Sequence, residues 1–575
     1  MSKLLFIVKR KNLESESLKE DQERLISICD SLNPDNIEAN PTYSYFNDGI
    51  WYGLSNPVDI ILRDEQGILL GKCTEEGKGI FRPNTPRPSG NYALIRFDES
   101  MVECITDILA SRTIWYYLDD KFFVASTSQR AIVSYLGDFR FEEKTIPWMI
   151  STGTLGPDLS WDKRIKKMAP DSLLQLDRSN WELSEKKDKV EFSALSQNED
   201  RAKKSLRAAL VEEFKNTTYD FSQWGLPLSG GYDSRAILSF LKLTKKDVSG
   251  LKTFTWGLEK SKHRSQNDAF VAKKVAERLG VKHQYFETNL SNEPVEVLFN
   301  RFLICGEGRI DSIAAYMDGF EIWKIFFEQG IQGVIRGDEG FGWSKVSSPF
   351  TARISTGLKL CSDIANLKQY QQGGLSKQTV PPELEQQQEE SSEAWRDRLY
   401  HQFRAPVFLS ALSDLKLPYV EQSNPFLTHD IINKVRELPD ELRTSKRLFK
   451  TIVDEIGPPV PYASEGANAK PSDILKKPEI TSYLIGELNS PEAFGILPAE
   501  LISKVTEKLS LKKEKSLFAT WKAIAIKQLP TAIKNKLKDE GFVPNVEPHI
   551  LAFRLFLIIK MHSILSGTKE DTIGR

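Results

Sequence analysis

Cysteine is scarce in this 575-residue chain: Cys29, Cys73, Cys104, Cys305 and Cys361 are the only five, and none forms a Cys-x-x-Cys pair. An odd, scattered set excludes a disulfide framework and a cysteine zinc site, and it fits a reducing compartment. Charge of one sign is also lacking, with a net of −1, so there is no overall pull toward nucleic acid or an anionic membrane. No stretch reaches the roughly 18 apolar residues that a membrane-crossing helix needs. Residues 1–8 lack the length and cleavage site of a secretion signal and read as a first strand. No internal repeat is visible. These absences leave a soluble, cytoplasmic protein with neither nucleic acid nor membrane as partner and an oligomeric state that the sequence does not specify. At this length and 40% hydrophobic content it can bury two or more cores.

Two patterns divide the chain. Up to about residue 190 short aromatic or alternating runs, such as 91–97, 113–117 and 121–126, are bounded by Gly, Pro and Asp and predict closely spaced antiparallel strands. A charged stretch over 182–199 reads as a linker. From about 195 onward helices at 201–214, 268–279 and 320–328 alternate with strands at 224–228, 251–256, 283–286 and 333–336. That alternation predicts an α/β domain with a parallel sheet covered on both faces. The Gln- and Glu-rich stretch 365–395 is expected to be a mobile insertion, and the rest of the chain to be largely helical.

The most informative run follows the first of these parallel strands: Leu228, Ser229, Gly230, Gly231, Tyr232, Asp233, Ser234, Arg235. Two glycines let the backbone turn its N–H groups toward an anion, two serines add hydroxyl donors, and the helix that follows offers its positive end. The Gly-Lys-Ser/Thr ending of a Walker loop is missing. Asp233 within this ring of donors would repel bare phosphate, which points to a Mg2+ ion accompanying a nucleotide. A second run, Arg336, Gly337, Asp338, Glu339, Gly340, Phe341, Gly342, Trp343, places glycines and carboxylates after another strand of the same sheet, where ligands of open α/β sheets collect.

The Ser-Gly-Gly-x-Asp-Ser loop resembles that of the N-type ATP pyrophosphatases, and the Gly-Asp-Glu-x-Phe-Gly run resembles the corresponding segment of asparagine synthetase-like proteins. Asn267-Asp268, the Asn424-Pro425-Phe426-Leu427 segment and Ser445-Lys446-Arg447-Leu448 are similar to further landmarks of that family in order and spacing, so the resemblance spans about 200–480. Segments 90–97, 115–117, 123–126 and 153–176 resemble later strands of a class II glutamine amidotransferase domain. Its nucleophilic cysteine would be residue 2, which here is Ser2. A hydroxyl is a far weaker nucleophile than a thiol near neutral pH.

The resemblance implies a degenerate amidotransferase-like domain over 1–190 and an ATP-binding domain over 195–575. It implies an ATP- and Mg2+-dependent ligase that adenylates a carboxylate and joins it to an amine, on a peptide or small metabolite, without glutamine hydrolysis. The implied ATP contacts are Leu228, Ser229, Gly230, Gly231, Asp233, Ser234, Arg235, Trp256, Gly257 and Gly337, with Asp233 and Asp338 as metal ligands and Lys446, Asp338 and Glu339 as catalytic residues. Under the alignment that makes Asp338 the ligand, the proton-transfer position of relatives falls on Ile335, and the general base is unassigned. The other alignment would put Phe341 at the metal, where a phenyl ring cannot ligate. Arg235 has two readings, a clamp on a substrate carboxylate or phosphate, or a brace paired with an acid such as Asp311. Substrate selection is expected from Glu307 to Asp311 and from 345–420. The ten lysines of 504–538 read as a solvated helical face or as a dock for an acidic precursor or carrier protein. Two alternatives stay open: an asparagine synthetase using ammonia, or glutamine through a partner, and a non-catalytic nucleotide-binding descendant.

Overall fold

The computed structural model describes residues 2–10, 18–74, 78–195, 198–368, 374–468, 471–510 and 544–567. Its N-terminal part is a sandwich of two six-stranded antiparallel sheets. The first runs in the order β10 (Lys166–Lys167), β8 (Trp115–Leu118), β9 (Phe122–Ser126), β1 (Leu4–Lys9), β3 (Ile50–Leu54) and β2 (Tyr43–Asn47). The second runs β12 (Glu182–Lys187), β11 (Ser172–Asp177), β7 (Met101–Thr106), β6 (Gly90–Phe97), β5 (Gly67–Cys73) and β4 (Leu62–Asp64).

β1 shows how the sequence builds these layers. Side chains alternate across a strand, so Leu4, Phe6 and Val8 enter the core between the sheets with Ile68, Leu70 and Ile95. Leu5 and Ile7 face the other way, into a second core shared with Ile132 and Leu25 of flanking helices. β1 is apolar on both faces because both faces are covered. β12 is the opposite case: Glu182–Lys187 is charged, mostly exposed and paired only with β11. The charge run expected to be a linker from residue 182 thus begins as a protected sheet edge. The linker proper is short, and Asn198 then caps the helix Glu199–Asn216 by accepting from Arg201 N at 2.9 Å.

The C-terminal part carries a five-stranded, wholly parallel sheet in the order β15 (Lys282–Glu287), β14 (Lys252–Gly257), β13 (Trp224–Pro227), β16 (Gly333–Ile335) and β17 (Glu421–Ser423). Successive strands are added first on one side of β13 and then on the other. The order therefore reverses between β13 and β16, and the segments leaving the carboxyl ends of these two strands border a single crevice.

Buried ion pairs hold the two parts together. Lys3 bonds Glu307 at 2.9 Å and Arg112 bonds Glu421 at 2.9 Å, all four side chains being at most 5% exposed. Arg309 pairs with Asp414 in the same seam. Asn56 donates to Pro418 O at 3.1 Å. Against the expectation that no stretch would do so, the helix Pro548–Ser566 is long and apolar enough by composition to cross a bilayer, yet 56% of its 18-residue apolar window is buried within the protein. It packs on Pro478–Leu488 and Ala499–Ser510, and its Arg554 bonds Asp311 at 2.6 Å and Ile150 O at 2.8 Å. It is a core helix that ties both parts. Parts of the segment expected to be a mobile insertion are likewise anchored: Leu384 and Trp395 share a core with Trp148, and Gln378 bonds Ser151 at 3.0 Å.

Candidate active site

Residues 229–231 connect β13 to the helix Tyr232–Leu243. The helix begins at Gly231 with no side-chain cap, so its first N–H groups are left for a ligand and its dipole adds positive potential. The loop closes on itself. Ser229 N donates to Ser234 Oγ at 2.9 Å, the two serine hydroxyls lie 3.0 Å apart, and Gly231 N donates to Ser229 Oγ at 3.3 Å. Gly230 N is taken by Asp268 Oδ1 at 3.1 Å. A Cβ on Gly230 would lie 2.5 Å from Ala463 Cβ, so only glycine lets 463 pack so near.

The run after β16 lies directly on this helix start. A Cβ on Gly337 would stand 3.0 Å from both Cβ and C of Asp233 and 3.1 Å from Ser234 N. The absence of a side chain at 337 thus brings Asp338 beside Asp233. From there the run turns under a distant segment: a Cβ on Gly342, at φ +116°, would meet Arg443 O at 2.2 Å, and Ser445 N donates to Trp343 O at 2.8 Å. Asp397 secures both strands of this lock, accepting from Trp343 N at 3.1 Å and from Arg443 Nε at 2.9 Å. Ser445 and Lys446 both adopt left-handed backbone, φ +59° and +58°. Two consecutive non-glycine residues there store about 1–3 kcal/mol each. The reversal delivers Lys446 to the acids: its Nζ lies 3.0 Å from both oxygens of Asp233 and 2.8 Å from Glu339 Oε1.

The cleft, about 250 Å3, is lined by Leu228, Ser229, Asp233, Ser234, Trp256, Gly337 and Asp338, and also by Asp268, Arg336, Ala467 and Asn468. Six of the ten residues expected to contact ATP, and the expected metal ligand Asp338, thus line one cleft. Gly230 and Gly231 form the loop backbone behind it. Gly257 allows the 467 segment to close the cleft, since a Cβ there would lie 2.5 Å from Ala467. Lys446 and Glu339 stand at its rim through Asp233.

Burial raises the Asp233 carboxyl, against the pull of Lys446. Burial also lifts Glu339, to about 7, with Lys446 opposing and Asp233 adding to the rise. Asp338 differs: burial opposes its ionisation, but Arg336, Lys416 and Lys446 together hold it below the ordinary value. Lys446 loses solvation but gains Glu339 and Asp233, and its pKa rises. Glu339 is only 5% exposed at the side chain and spends its other oxygen on Phe341 N, at 2.6 Å. It is placed to hold Lys446, which makes it a positioning residue.

Among the described residues no group of three or more His, Cys, Asp or Glu forms a ready cation cage. Asp233 and Asp338 nevertheless fit Mg2+, an ion usually held by one or two carboxylates and completed by phosphate oxygens and water.

Arg235 braces the helix start, but on backbone carbonyls and not on the expected acid. It is 1% exposed, donates to Val460 O, Pro461 O and Gly230 O at 2.5, 3.1 and 3.4 Å, and stacks 3.9 Å over Tyr462. It does not line the cleft, and Asp311 is paired with Arg554. The segment 457–463 wraps the helix start and takes the two terminal nitrogens of the guanidinium. Glu307 to Asp311, expected to select substrate, belongs to the seam instead: Glu307 binds Lys3 and Gln129 N, and Arg309 binds Asp414. Of the Lys-rich stretch 504–538, residues 511–538 lie outside the described residues, and 504–510 complete the amphipathic helix Ala499–Ser510.

Two cleft residues, and two residues that feel the charge of its acids, carry no sequence signal. Ala467 and Asn468 come from a remote loop, Tyr400 from a wide i→i+5 helix over Tyr400–Leu409, and Lys416 from the turn before β17. The Tyr400 phenol is pushed well up by burial and by Glu339, Asp338 and Asp233. Lys416 is 3% exposed.

Residues 205–303 match the family model described as asparagine synthase. No curated protein matches the chain. Among solved structures, one titled an allosteric regulatory enzyme of purine biosynthesis is 10% identical over 49% of this chain and 80% of its own, with a TM-score of 0.21. A second, a glutamine phosphoribosylpyrophosphate amidotransferase from B. subtilis complexed with ADP and GMP, is 7% identical over 52% of this chain and 92% of its own, also at 0.21. Superpositions this low carry no argument about function. The family match covers the phosphate loop, β13 to β15 and the helices between them, so that this segment is similar to asparagine synthase.

Proposed function

We propose that this protein is an ATP-dependent carbon–nitrogen ligase that splits ATP to AMP and pyrophosphate, activates a substrate carboxylate and couples it to an amine without hydrolysing glutamine. The observation that carries the reading is Lys446, held by Glu339 and by Asp233, which lines the cleft together with Ser229, Ser234 and Asp338. The uncapped helix start and the two serines receive the pyrophosphate portion of ATP. Asp233 and Asp338 would hold Mg2+, whose chemistry is to offset the charge of the leaving pyrophosphate. A carboxylate oxygen attacks the α phosphorus, the O–P bond forms, and the α–β bridge breaks. The amine then attacks the acyl carbon, AMP leaves, and the amine loses a proton. Lys446 supplies a fixed positive charge where negative charge develops, and a preorganised donor of this kind is worth about 10²–10³ in rate.

The N-terminal position supports the exclusion of glutamine. Ser2 is fully buried, its hydroxyl donates to Asn56 O at 3.1 Å, and its carbonyl accepts from Arg112 at 3.3 Å. A nucleophile needs an open approach and an adjacent base. Neither is present there among the described residues. The reading also takes the site to work in the cytoplasm, in keeping with five free, buried cysteines.

The test is exchange of labelled pyrophosphate into ATP in the presence of Mg2+ and a panel of carboxylates. Carboxylate-dependent exchange is expected, and glutamine should not be consumed. Absence of both exchange and ATP binding would reduce the site to a relic.

A further inference from the structure

A second cavity, about 220 Å3, opens at the carboxyl ends of β14 and β15, beside the cleft but outside it. Leu258, which follows β14, gives it an apolar wall with Leu290, Met317 and Ile474, and the Asp318 carboxylate is set among them. Asn468 lines both cavities, and Leu258 N donates to the carbonyl of Ala467, a cleft residue, at 2.9 Å. The two spaces therefore share the 467–468 segment as a partition. Ser291 N bonds Met317 O at 2.8 Å and ties the exit of β15 to the wall that carries Asp318. That carboxylate accepts from Phe320 N at 3.1 Å just before the helix Glu321–Glu328, and it has no ion pair among the described residues. A cap needs no charge, since asparagine serves as well. An ionised carboxylate facing an apolar cavity is costly unless a cation meets it, and burial lifts this one to about 6, with Glu321 adding to the rise. Asp473 and Lys477 also line the cavity, so acids outnumber cations there. The two cavities thus make opposite demands: the cleft offers N–H groups to an anion, and its neighbour offers an acid to a cation.

We infer that this second cavity is the amine subsite of the ligase and takes a small primary amine with an apolar chain, its nitrogen resting on Asp318. The inference rests on the function proposed above, which requires an amine next to the activated carboxylate. Apolar walls hold the chain by burial, and a charge-assisted hydrogen bond fixes the nitrogen. An amine arrives as an ammonium, which has no lone pair to attack with. Asp318 takes its first proton. The freed lone pair forms the C–N bond to the acyl carbon, the C–O bond to AMP breaks with its electrons going to the phosphate oxygen, and the second proton leaves with AMP. Asp318 then returns its proton to solvent. The carboxylate so fills the proton-accepting role that the sequence leaves unassigned.

The test is calorimetric titration of the full chain, without nucleotide, with butylamine, isoamylamine and the uncharged butanol, alongside Asp318→Asn and Ala314→Leu. Asparagine keeps the bond to Phe320 N, and leucine at 314, a lining position, fills the cavity without altering its charges. We expect the amines to bind and butanol not to, about 10- to 100-fold weaker amine binding in D318N, and loss of amine binding in A314L. Added butylamine should raise the melting temperature of the parent and leave that of D318N unchanged. ATP should not alter the amine affinity of the parent; displacement of the amine by ATP would assign the cavity to the nucleotide and overturn the inference. So would equal binding of butanol and butylamine, no amine binding by the parent, or undiminished binding by D318N. If either variant fails to fold, the contrast of butylamine with butanol and the ATP competition, both on the parent, decide. ATP titration of the parent is read separately: its failure refutes the ligase reading, whereas failure of the amines alone refutes only the subsite.

Discussion

The cleft at 229–234 and the buried surroundings of Ser2 differ in what they leave unsatisfied. At the cleft a helix begins without a side-chain cap, and Asp233, Asp338 and Glu339 gather with Lys446 and Arg336. At Ser2 the polar groups are spent on one another: its hydroxyl on Asn56, its carbonyl on Arg112, and the neighbouring Lys3 on Glu307. Buried polar groups are normally paired, so unspent groups mark where chemistry is expected and spent ones mark structure. In this contrast the N-terminal part braces the seam.

The largest break in this comparison should come at the cleft. Asp233→Asn and Lys446→Met are each expected to lower pyrophosphate exchange by about 10²–10³-fold, with melting temperatures near that of the parent. Loss of folding in both, with exchange per folded molecule unchanged, would remove the catalytic role. Next, Glu307→Gln leaves Lys3 without its acid in the seam and is expected to cost about 3–5 kcal/mol in chemical denaturation. A cost under 0.5 kcal/mol would mean that the seam pair is incidental.

Gly337→Ala probes the close approach itself. Its Cβ would press on Asp233 at 3.0 Å, and we expect about 1–3 kcal/mol of destabilisation, with weaker ATP binding by calorimetry. Arg235→Met separates brace from clamp: it should lose about 1–3 kcal/mol of stability while the KM for the carboxylate stays the same, and a selective rise in that KM would restore the clamp reading. The smallest effect is expected from Ser2→Cys. With residue 2 sealed, the variant should release no glutamate from glutamine, and measurable release would reopen the N-terminal pocket.

The parts of the site legible in the sequence are contiguous. The loop 229–234 and the run 336–343 each announce themselves because glycines, hydroxyls and carboxylates are packed within a few residues after a strand. Their meeting was also legible, because strands that alternate with helices put both loops at one sheet end. What stayed hidden depends on distance along the chain. β17 is Glu-Gln-Ser, three polar residues with no strand signal, held as a strand by β16 and by the ion pair of Glu421 with Arg112. Asp397 and Arg443 are separated by 46 residues and matter only because the loops they lock are neighbours. Arg235 misled for the same reason: its partners lie about 225 residues downstream.

The central claim is that this cleft breaks ATP between its α and β phosphates to activate a carboxylate. The most direct measurement is exchange of labelled pyrophosphate into ATP by the purified full chain with Mg2+, across mono- and dicarboxylates, in the parent and in Asp233→Asn. The account predicts exchange that requires a carboxylate and is lowered by about 10²–10³-fold in the variant. Exchange that survives unchanged in Asp233→Asn, or nucleotide turnover that yields ADP and phosphate, would contradict it.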